Sequence, residues 1–366
     1  MRYSKITFVC PCYNHEKYVL FFLKSLIEQT ENNWELIIID DFSSDKSVEL
    51  INSIQDKRIT LLKNSFNMGI NANVSRGISL AKTDIISFVA SDDILLPNYV
   101  ETVLDVFNNT DVDVCYSPLK HIDQNGNMIK SENSLPYSCT EFQILEGMFL
   151  QGNLLPSPGM AFKKSVFLPY LPLDISMLQY SDYQMHLYVL IFHKIKMLRN
   201  AIVLYRVTGN STSSRSKAVI LREKIETKKL MDTFVRLFSN NLELFYEVFG
   251  NNPVVVGNNV TTETINYWLG RIALSSSNKE RQDWGLSIIM DFIAQEENLK
   301  LLHSLYNFSF KDYLKLSENV LSKSPLSDEE KKIKKYKSKL KRLQFTFFCF
   351  VIIFFILYFF YILNYA

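Results

Sequence analysis

Asp84-Ile-Ile-Ser-Phe-Val-Ala-Ser-Asp-Asp-Ile-Leu-Leu-Pro97 joins an apolar run directly to two adjacent carboxylates, Asp92 and Asp93. A short apolar run with β-branched residues predicts a buried strand. Ligands of open α/β sheets bind just beyond the carboxyl ends of the strands. Two carboxylates at such a strand end suit a divalent cation, which prefers oxygen ligands and often binds together with a diphosphate. The alternative is an ordinary strand end, with Asp92 and Asp93 solvated before a helix.

Strand-like and helix-like patterns alternate along the first 120 residues. This alternation predicts an α/β fold with a mostly parallel sheet flanked by helices. Strands are predicted at 6–10, 35–40, 59–63, 85–90 and 112–116, and helices near 16–29, 45–55, 70–82 and 97–108. Farther along, the patterns predict a hairpin turn at 122–127, a helix after Asp182, a short strand at 202–205 and a largely helical stretch at 217–320.

The C-terminal part has a charge pattern of its own. Residues 331–342 contain seven Lys, one Arg and no acid, so removing these eight charges from the net charge of +2 leaves −6 for the rest. An acidic body argues against binding nucleic acid. Residues 345–363 carry no charged side chain over 19 positions, close to the length that spans a bilayer. We therefore predict a basic juxtamembrane helix at 327–343 and a transmembrane helix at 344–364. The body of the protein would lie in the cytosol, tethered to the inner membrane by this single span.

The five cysteines form no Cys-x-x-Cys pair and no cluster with the five histidines. This spacing argues against a zinc site or a disulfide scaffold and is typical of reduced thiols in the cytosol. We interpret the histidines as structural or exposed and leave open the role of His15, which follows the first predicted strand.

Two more predicted strands end in polar side chains. The first leads into Pro11-Cys-Tyr-Asn14 and the second into Asp40 and Asp41. If these strands neighbour the one that precedes Asp92, their ends line a single crevice. An aromatic ring with a nearby carboxylate can stack on a pyrimidine base and accept its hydrogen bonds. A carboxylate pair farther along can hold a ribose and a metal-bound diphosphate.

In the order and spacing of its motifs, the first half of the chain resembles the family 2 glycosyltransferases, which have a GT-A fold. The resemblance covers roughly residues 4–215, and its motifs are Pro11-Cys-Tyr-Asn14, 25–30, 34–45, Asn67-Met-Gly69, Gly77 and 91–97. It implies an inverting transfer from a nucleotide-diphosphate sugar, with a UDP-sugar favoured. We therefore assign 1–215 to a GT-A domain, a Rossmann-like mixed sheet flanked by helices, and 216–326 to a separate helical region.

The resemblance implies a role for the polar residues at the strand ends. Asp41 would bond the uracil-type edge, and Asp93 would ligate Mg²⁺ or Mn²⁺, which neutralises the charge of the leaving diphosphate. The other implied contacts to the nucleotide sugar are Pro11, Tyr13, Asn14, Asn67, Asp92 and Arg206. Arg206 would face the phosphates, and a structural ion pair is the alternative for it. Thr208 stands where the family often has a histidine that assists the metal or diphosphate, so that contact is not implied here. The Arg-Asn pair that many members carry before Gly77 is also missing here, where the chain has Val74-Ser75.

An inverting displacement also needs a base that removes the proton of the acceptor hydroxyl. The family places this acid late in the domain, and Asp182 in Gln179-Tyr-Ser-Asp182 keeps that position, with Ser181 in place of the common Glu. The alternative is that Asp182 only caps the following helix. Asp174 is the nearest rival for the role of base.

The acceptor is predicted to be a lipid-linked glycan at the membrane surface, in the synthesis of a cell-surface polysaccharide. Confining enzyme and acceptor to one surface raises their effective concentration. Residues 154–160 match the acceptor-side loop of the family. Two other hypotheses stay open: transfer to a polyprenyl phosphate, which needs no base, and a non-catalytic scaffold that binds nucleotide sugar.

Overall fold

The computed structural model describes residues 3–133, 135–208, 216–322 and 335–339. Its strands are β1 (Ile6–Cys12), β2 (Trp34–Asp40), β3 (Ile59–Lys63), β4 (Ile85–Phe88), β5 (Ile94–Leu95), β6 (Val114–Tyr116), β7 (Leu119–Ile122), β8 (Met128–Asn133), β9 (Ala161–Lys163), β10 (Ile195–Met197) and β11 (Val203–Arg206). Its α-helices are α1 (Val19–Ile27), α2 (Ser47–Asn52), α3 (Ile70–Leu80), α4 (Tyr99–Asn109), α5 (Glu141–Gln151), α6 (Ser181–Phe192), α7 (Lys217–Phe238), α8 (Leu242–Phe249), α9 (Ile265–Ala273), α10 (Lys279–Ile293), α11 (Glu296–Tyr306) and α12 (Phe310–Ser322). The chain divides into two compact units, Met1–Ser309 and Phe310–Ala366.

Two sheets organise the first unit. The large sheet has seven strands in the order β10-β6-β9-β4-β1-β2-β3, and a smaller sheet has the order β5-β11-β7-β8. In the large sheet β1 pairs in parallel with both β2 and β4, while β9 runs antiparallel between β4 and β6. The pairs β2–β3 and β6–β10 are parallel as well, so the sheet is mixed through β9, which runs antiparallel to both of its neighbours.

The centre of the large sheet is buried on both faces. In β1 and in β2 alike, all residues but one are buried. Near-continuous apolar strands of this kind are typical of parallel sheets covered by helices on either side. The cover includes α1, whose Phe22, Leu23 and Leu26 are fully buried in the same core.

Helix α3 packs unusually close to β1 because of one glycine. A Cβ atom on Gly77 would lie 2.3 Å from Cγ1 of Val9, so a larger residue would push the helix away. At the other end, Gly69 precedes α3 with φ of 83°, a conformation that favours glycine. Both glycines fix the N-terminus of α3 beside the end of β2.

The predicted α/β architecture is confirmed. Each predicted strand of the first 120 residues is present, although the strand predicted at 85–90 ends at Phe88. The hairpin turn between β7 and β8, helix α6, strand β11 and the helices α7–α12 also occupy the predicted places.

Within the described residues no helix has both the length and the apolar composition needed to cross a bilayer. The predicted transmembrane helix at 344–364 lies outside the described residues, as does most of the predicted basic helix at 327–343. The predicted domain borders stay predictions, although residues 216–309 fall in the same compact unit as the GT-A domain.

Candidate active site

The carboxyl ends of β1, β2 and β4 lie together at one edge of the large sheet. Cys12 is opposite Asp40, and Val9 is opposite Phe88. The Asp41 N–H donates to the Cys12 carbonyl over 2.8 Å, which extends the pairing by one residue. The side chains that follow these strands therefore share the edge at which α/β sheets bind ligands.

The Asp41 carboxylate is held by the loop that leads into α3. Its Oδ1 accepts hydrogen bonds from the Met68 N–H and the Asn64 side chain, both over 2.8 Å, and its Oδ2 accepts one from the Gly69 N–H over 2.9 Å. Burial alone would raise the pKa of Asp41, but these hydrogen bonds outweigh burial and hold the pKa below its usual value. Asp41 is thus a fixed negative charge at the positive end of α3. Asn67 donates to the Asp41 carbonyl over 3.2 Å and fixes the same loop.

The loop after β1 presents Tyr13 to solvent with 48% of its surface exposed. The next residue, Asn14, has φ of 55° and joins this loop to the loop after β2. Its N–H donates to the Ser43 hydroxyl and its Oδ1 accepts from the Ser44 N–H, each over 2.9 Å. Asp40 is buried below them, and its Oδ1 has no hydrogen-bond partner among the described residues.

His15 connects the first loop to the segment that carries the acidic pair. Its Nδ1 lies 2.6 Å from the hydroxyl of Ser91, which also donates to the carbonyl of half-buried Pro11 over 3.3 Å. The His15 N–H donates to the Ser47 hydroxyl over 2.8 Å. The histidine that the sequence left open therefore belongs to the framework of the strand ends.

Asp93 is buried, while Asp92 beside it is half-buried. Asp93 Oδ1 accepts the Arg206 N–H over 2.9 Å, and its Oδ2 is buried without a partner in the described part of the chain. Burial and the neighbouring charge of Asp92 raise the pKa of Asp93 well above its usual value. The alternative of a solvated strand end is therefore wrong for Asp93.

The unpartnered oxygen of Asp93 fits a divalent cation. A cation bound there would satisfy Oδ2 and offset the repulsion between Asp92 and Asp93. The described residues contain no group of three His, Cys, Asp or Glu side chains that could hold a metal by themselves. This donor set suits a Mg²⁺-like ion, which is usually bound by one or two carboxylates together with substrate phosphates.

Arg206 is buried and directs its guanidinium toward the protein backbone. Its Nε donates to the Asp92 carbonyl over 2.8 Å, and one terminal nitrogen donates to the carbonyls of Asp123 and Gln124 over 3.0 and 3.3 Å. The guanidinium also lies 5.0 Å from the ring centre of Tyr18. Arg206 thus ties the acidic pair to the β7–β8 turn, and the predicted contact with a nucleotide sugar stays a prediction.

Asp182 lies in the first turn of α6 and is held by three donors. Its Oδ2 accepts from the Ser157 hydroxyl over 3.0 Å and from the Asn153 side chain over 3.1 Å, and its Oδ1 accepts the Tyr183 N–H over 2.7 Å. Burial raises the pKa of Asp182, and these donors only partly oppose the rise. The N-cap of α6 is Tyr180, so Asp182 is not the capping residue of this helix.

A chain of polar groups, two of them fully buried, stands behind Asp182. The Ser157 hydroxyl lies 3.1 Å from Nε2 of His186, and the Tyr116 hydroxyl lies 2.9 Å from its Nδ1. His186 is fully buried, and burial lowers its pKa to about 3, so its ring is neutral. Ser157 gives its only proton to the acceptor Asp182, so we assign the ring proton to Nε2. The donors then run from Tyr116 through His186 and Ser157 to Asp182.

Asp182 belongs to the same edge of the sheet as the acidic pair. Its partner Ser157 lies two residues before Gly159, whose N–H donates to the carbonyl of Phe88, the last residue of β4, over 2.8 Å. Because β9 runs antiparallel to β4, the residues before β9 lie at the carboxyl end of β4. Asp93 follows β4 at that same end. The sheet therefore brings Asp41, Asp93 and Asp182 to one edge.

The rival acid, Asp174, is engaged elsewhere. Its carboxylate forms an ion pair with Lys229 and accepts the Ser176 hydroxyl over 2.7 Å. Burial would raise the pKa of Asp174, but these partners outweigh burial and lower it. A paired carboxylate with a lowered pKa is a poor base, so the geometry favours Asp182.

Sequence reasoning did not identify Ser157, His186 and Tyr116. Ser157 lies in the proline-rich loop that the sequence placed on the acceptor side, which was the one available signal. The histidine and the tyrosine are fully buried and lie in α6 and β6. Nothing in their local sequence distinguishes them from core residues.

The chain that forms this mixed α/β sheet is similar in sequence to known proteins. Residues 7–168 match the family described as Glycosyl transferase family 2. An uncharacterised glycosyltransferase of Methanocaldococcus jannaschii is 28% identical over 260 residues, which cover 68% of this chain and 87% of the relative. WfgD of Escherichia coli, named UDP-Glc:alpha-D-GlcNAc-diphosphoundecaprenol beta-1,3-glucosyltransferase, is 28% identical over 141 residues, 38% of this chain and 55% of its own.

Among solved structures, S. aureus TarS (residues 1–349) superposes with a TM-score of 0.53 and 15% identity, covering 88% of this chain and 94% of its own. This likeness is one of fold. The sequence matches define the class of protein: residues 7–168 match glycosyl transferase family 2, and the chain is a glycosyltransferase.

Proposed function

We propose that this glycosyltransferase moves a sugar, with inversion at the anomeric carbon, from a UDP-sugar to a hydroxyl of a lipid-linked glycan, with Mg²⁺ or Mn²⁺ as cofactor. The observation that carries the proposal is the Asp182 carboxylate. It is half-buried and oriented by three donors, and it lies at the sheet edge where β4 leads into Asp92 and Asp93.

The donor nucleotide is proposed to bind where the loops after β1 and β2 meet. Tyr13 offers an exposed ring for stacking, and Asp41 beside it is a fixed, ionised acceptor. A uracil base presents an apolar face and an N–H donor, which match these two groups. The name of WfgD, which specifies UDP-Glc, supports a uridine nucleotide.

The diphosphate is proposed to lie over Asp92 and Asp93. A bound divalent cation would be held by the unpartnered oxygen of Asp93 and would supply positive charge where the leaving diphosphate gains negative charge. Arg206 fixes the backbone of Asp92 and accordingly orients the pair for this contact.

Asp182 is proposed to act as the base of the transfer. Its carboxylate would take the proton of the acceptor hydroxyl while that oxygen forms the new bond to the anomeric carbon. The bond between the anomeric carbon and the diphosphate oxygen breaks on the opposite face, and its electron pair leaves with UDP. A base works best when its pKa approaches the working pH, and burial shifts Asp182 in that direction.

A lipid-linked acceptor is proposed on two grounds. The name of WfgD specifies a sugar attached to diphosphoundecaprenol. The chain also contains a basic stretch followed by a long apolar segment at its C-terminal end, which predicts attachment to a membrane with the catalytic body in the cytosol.

Asp182→Asn tests the base. The amide keeps the shape of the side chain but cannot take a proton, so turnover should fall about 100- to 10,000-fold. The donor KM should stay near that of the wild type. The measurement is release of UDP from a panel of UDP-sugars with Mn²⁺ and a synthetic GlcNAc-diphospholipid acceptor. Asp174→Asn is the matched control, because it removes the same charge from the neighbouring loop and should retain turnover.

Two results would contradict the proposal. Wild-type turnover in Asp182→Asn would mean that the acceptor is already ionised, as a polyprenyl phosphate is. A folded wild-type protein that releases UDP from no donor of the panel would indicate a binding scaffold instead of a transferase.

A further inference from the structure

The helical region contributes two buried charges to the segments that carry Asp182. Residues 216–309 belong to the same compact unit as the GT-A domain. Within them Glu226 on α7 and Arg281 on α10 are 5% and 1% exposed. Charged side chains are rarely buried without a specific partner, because burial removes their hydration. Their partners therefore indicate what these two residues do.

Glu226 binds the backbone just before Asp182. Its Oε1 accepts the Leu178 N–H over 3.1 Å, and its Oε2 accepts the N–H groups of Gln179 and Tyr180 over 2.7 and 2.9 Å. Three successive N–H groups form a concave anion site, and the positive end of α6 adds to its attraction for a carboxylate. Glu226 thus fixes the entry of α6, two residues before the base.

Arg281 binds the end of α5. Its Nε donates to the Phe149 carbonyl over 2.8 Å, in the last turn of that helix. A cation is favoured there because the carbonyl end of a helix is negative. Ser276, also from the helical region, donates to the next carbonyl, that of Leu150, over 2.5 Å. The Phe149 ring packs against Phe234 with ring centres 4.9 Å apart.

The segments that Glu226 and Arg281 anchor are joined by one hydrogen bond. Helix α5 ends at Gln151, and Asn153 follows it by two residues and donates to Asp182 over 3.1 Å. Arg281 therefore anchors the segment that supplies the donor, and Glu226 anchors the segment that supplies the acceptor. Both anchors come from outside the part of the chain that matches the family.

From this arrangement we propose that Glu226 and Arg281 are positioning residues for the transfer reaction, through which the helical region aims the Asp182 carboxylate. The inference rests on the proposed role of Asp182 as base. A misplacement of about 1 Å can cost about 100-fold in rate, so a base on a helix entry needs such an anchor.

Glu226→Gln tests the first anchor. The substituted amide keeps one oxygen but turns the other into an N–H donor, which cannot accept from the backbone. We expect kcat for UDP release to fall about tenfold to a hundredfold, with the donor KM within about twofold of the wild type. Arg281→Lys, which keeps the charge but loses the planar donor, should act in the same direction.

Asp232→Asn on the same helix is the matched control. Asp232 accepts the Trp284 indole N–H over 3.0 Å, so this variant makes the same chemical change at a purely structural contact. It should lower the melting temperature without lowering kcat per folded molecule. Circular dichroism and gel filtration give the folded fraction of each variant. A structural role for Glu226 would make its variant behave like this control.

A double-mutant cycle with Asp182→Asn separates the possible outcomes. If Glu226 acts through the base, Glu226→Gln should reduce kcat of Asp182→Asn by less than about twofold. If the double variant loses as much kcat as the two single variants combined, the inference is overturned. A folded Glu226→Gln protein with wild-type kcat would overturn it too. If Asp182→Asn itself retains turnover, the proposed base fails first. If only Glu226→Gln retains it, the positioning role fails alone.

Discussion

At the scale of single residues, three carboxylates at one sheet edge have different pKa values because their surroundings differ. Asp41 receives main-chain and amide donors that outweigh burial, and its pKa is lowered. Asp93 has one donor and a charged neighbour, and its pKa is raised. Asp182 has three donors, but burial raises its pKa. Divergent environments of this kind allow one site to combine a fixed acceptor, a cation ligand and a base.

Ser157→Ala should shift the pH dependence of the reaction. The Ser157 hydroxyl donates to the ionised form of Asp182 and so lowers its pKa. Without that donor the pKa rises further, and because the base must be ionised, activity should be lost at a higher pH on the acid side. The acid limb of kcat/KM against pH for UDP release measures this shift, since it reports the free enzyme.

Ser157→Thr keeps the hydroxyl and should leave the acid limb in place. An acid limb that is identical in Ser157→Ala and the wild type would show that Asp182 is not the group that titrates.

At the scale of elements, helix α3 determines the setting of Asp41. The helix can approach β1 because Gly77 has no side chain, and its approach brings the N–H groups of Met68 and Gly69 to the Asp41 carboxylate. The exposed apolar residues around the predicted nucleotide site, among them Phe42 and Phe66, lie on the neighbouring loops. The packing of one helix against one strand thus sets the geometry of a binding residue.

Gly77→Ala should destabilise the fold. The new Cβ would lie 2.3 Å from Val9, so the helix must move, and overpacking of this kind costs about 1–3 kcal/mol. Urea denaturation followed by circular dichroism measures the loss in the free energy of unfolding. Ser79→Ala on the exposed face of the same helix is the control and should change stability little. Equal stability of both variants would mean that α3 does not depend on this close contact.

At the scale of the whole molecule, the sequence predicts what local patterns encode. The alternation of strand-like and helix-like patterns indicates the sheet. The abrupt change from apolar to acidic residues marks the ends of β2 and β4. The positions of Asp41, Asp93 and Asp182 followed from these patterns and from the family resemblance. Their convergence on one edge follows from the parallel pairing of β1, β2 and β4 and from the antiparallel β9.

The network around Asp182 could not be predicted, because its members are distant in sequence. Ser157 and Asn153 lie 25 and 29 positions from Asp182, and Glu226 lies 46 to 48 positions from its partners. Such contacts depend on how α5, α6 and α7 pack against one another. The hydrophobic periodicity of a helix does not specify which helices it packs against. Arg206 shows the same limit, since its partners lie in the acidic pair and in the β7–β8 turn, all more than 80 positions earlier.

The central claim is that the carboxyl edge of the large sheet is a metal-dependent site for a nucleotide sugar. Calorimetric titration of UDP, with and without Mn²⁺, into the wild type, Asp93→Asn and Asp182→Asn tests it most directly. We predict that Mn²⁺ tightens UDP binding by about tenfold or more in the wild type and in Asp182→Asn, and that Asp93→Asn loses this gain. The claim would be contradicted if Mn²⁺ did not change the affinity of the wild type for UDP. It would also be contradicted if Mn²⁺ increased the UDP affinity of Asp93→Asn as much as that of the wild type.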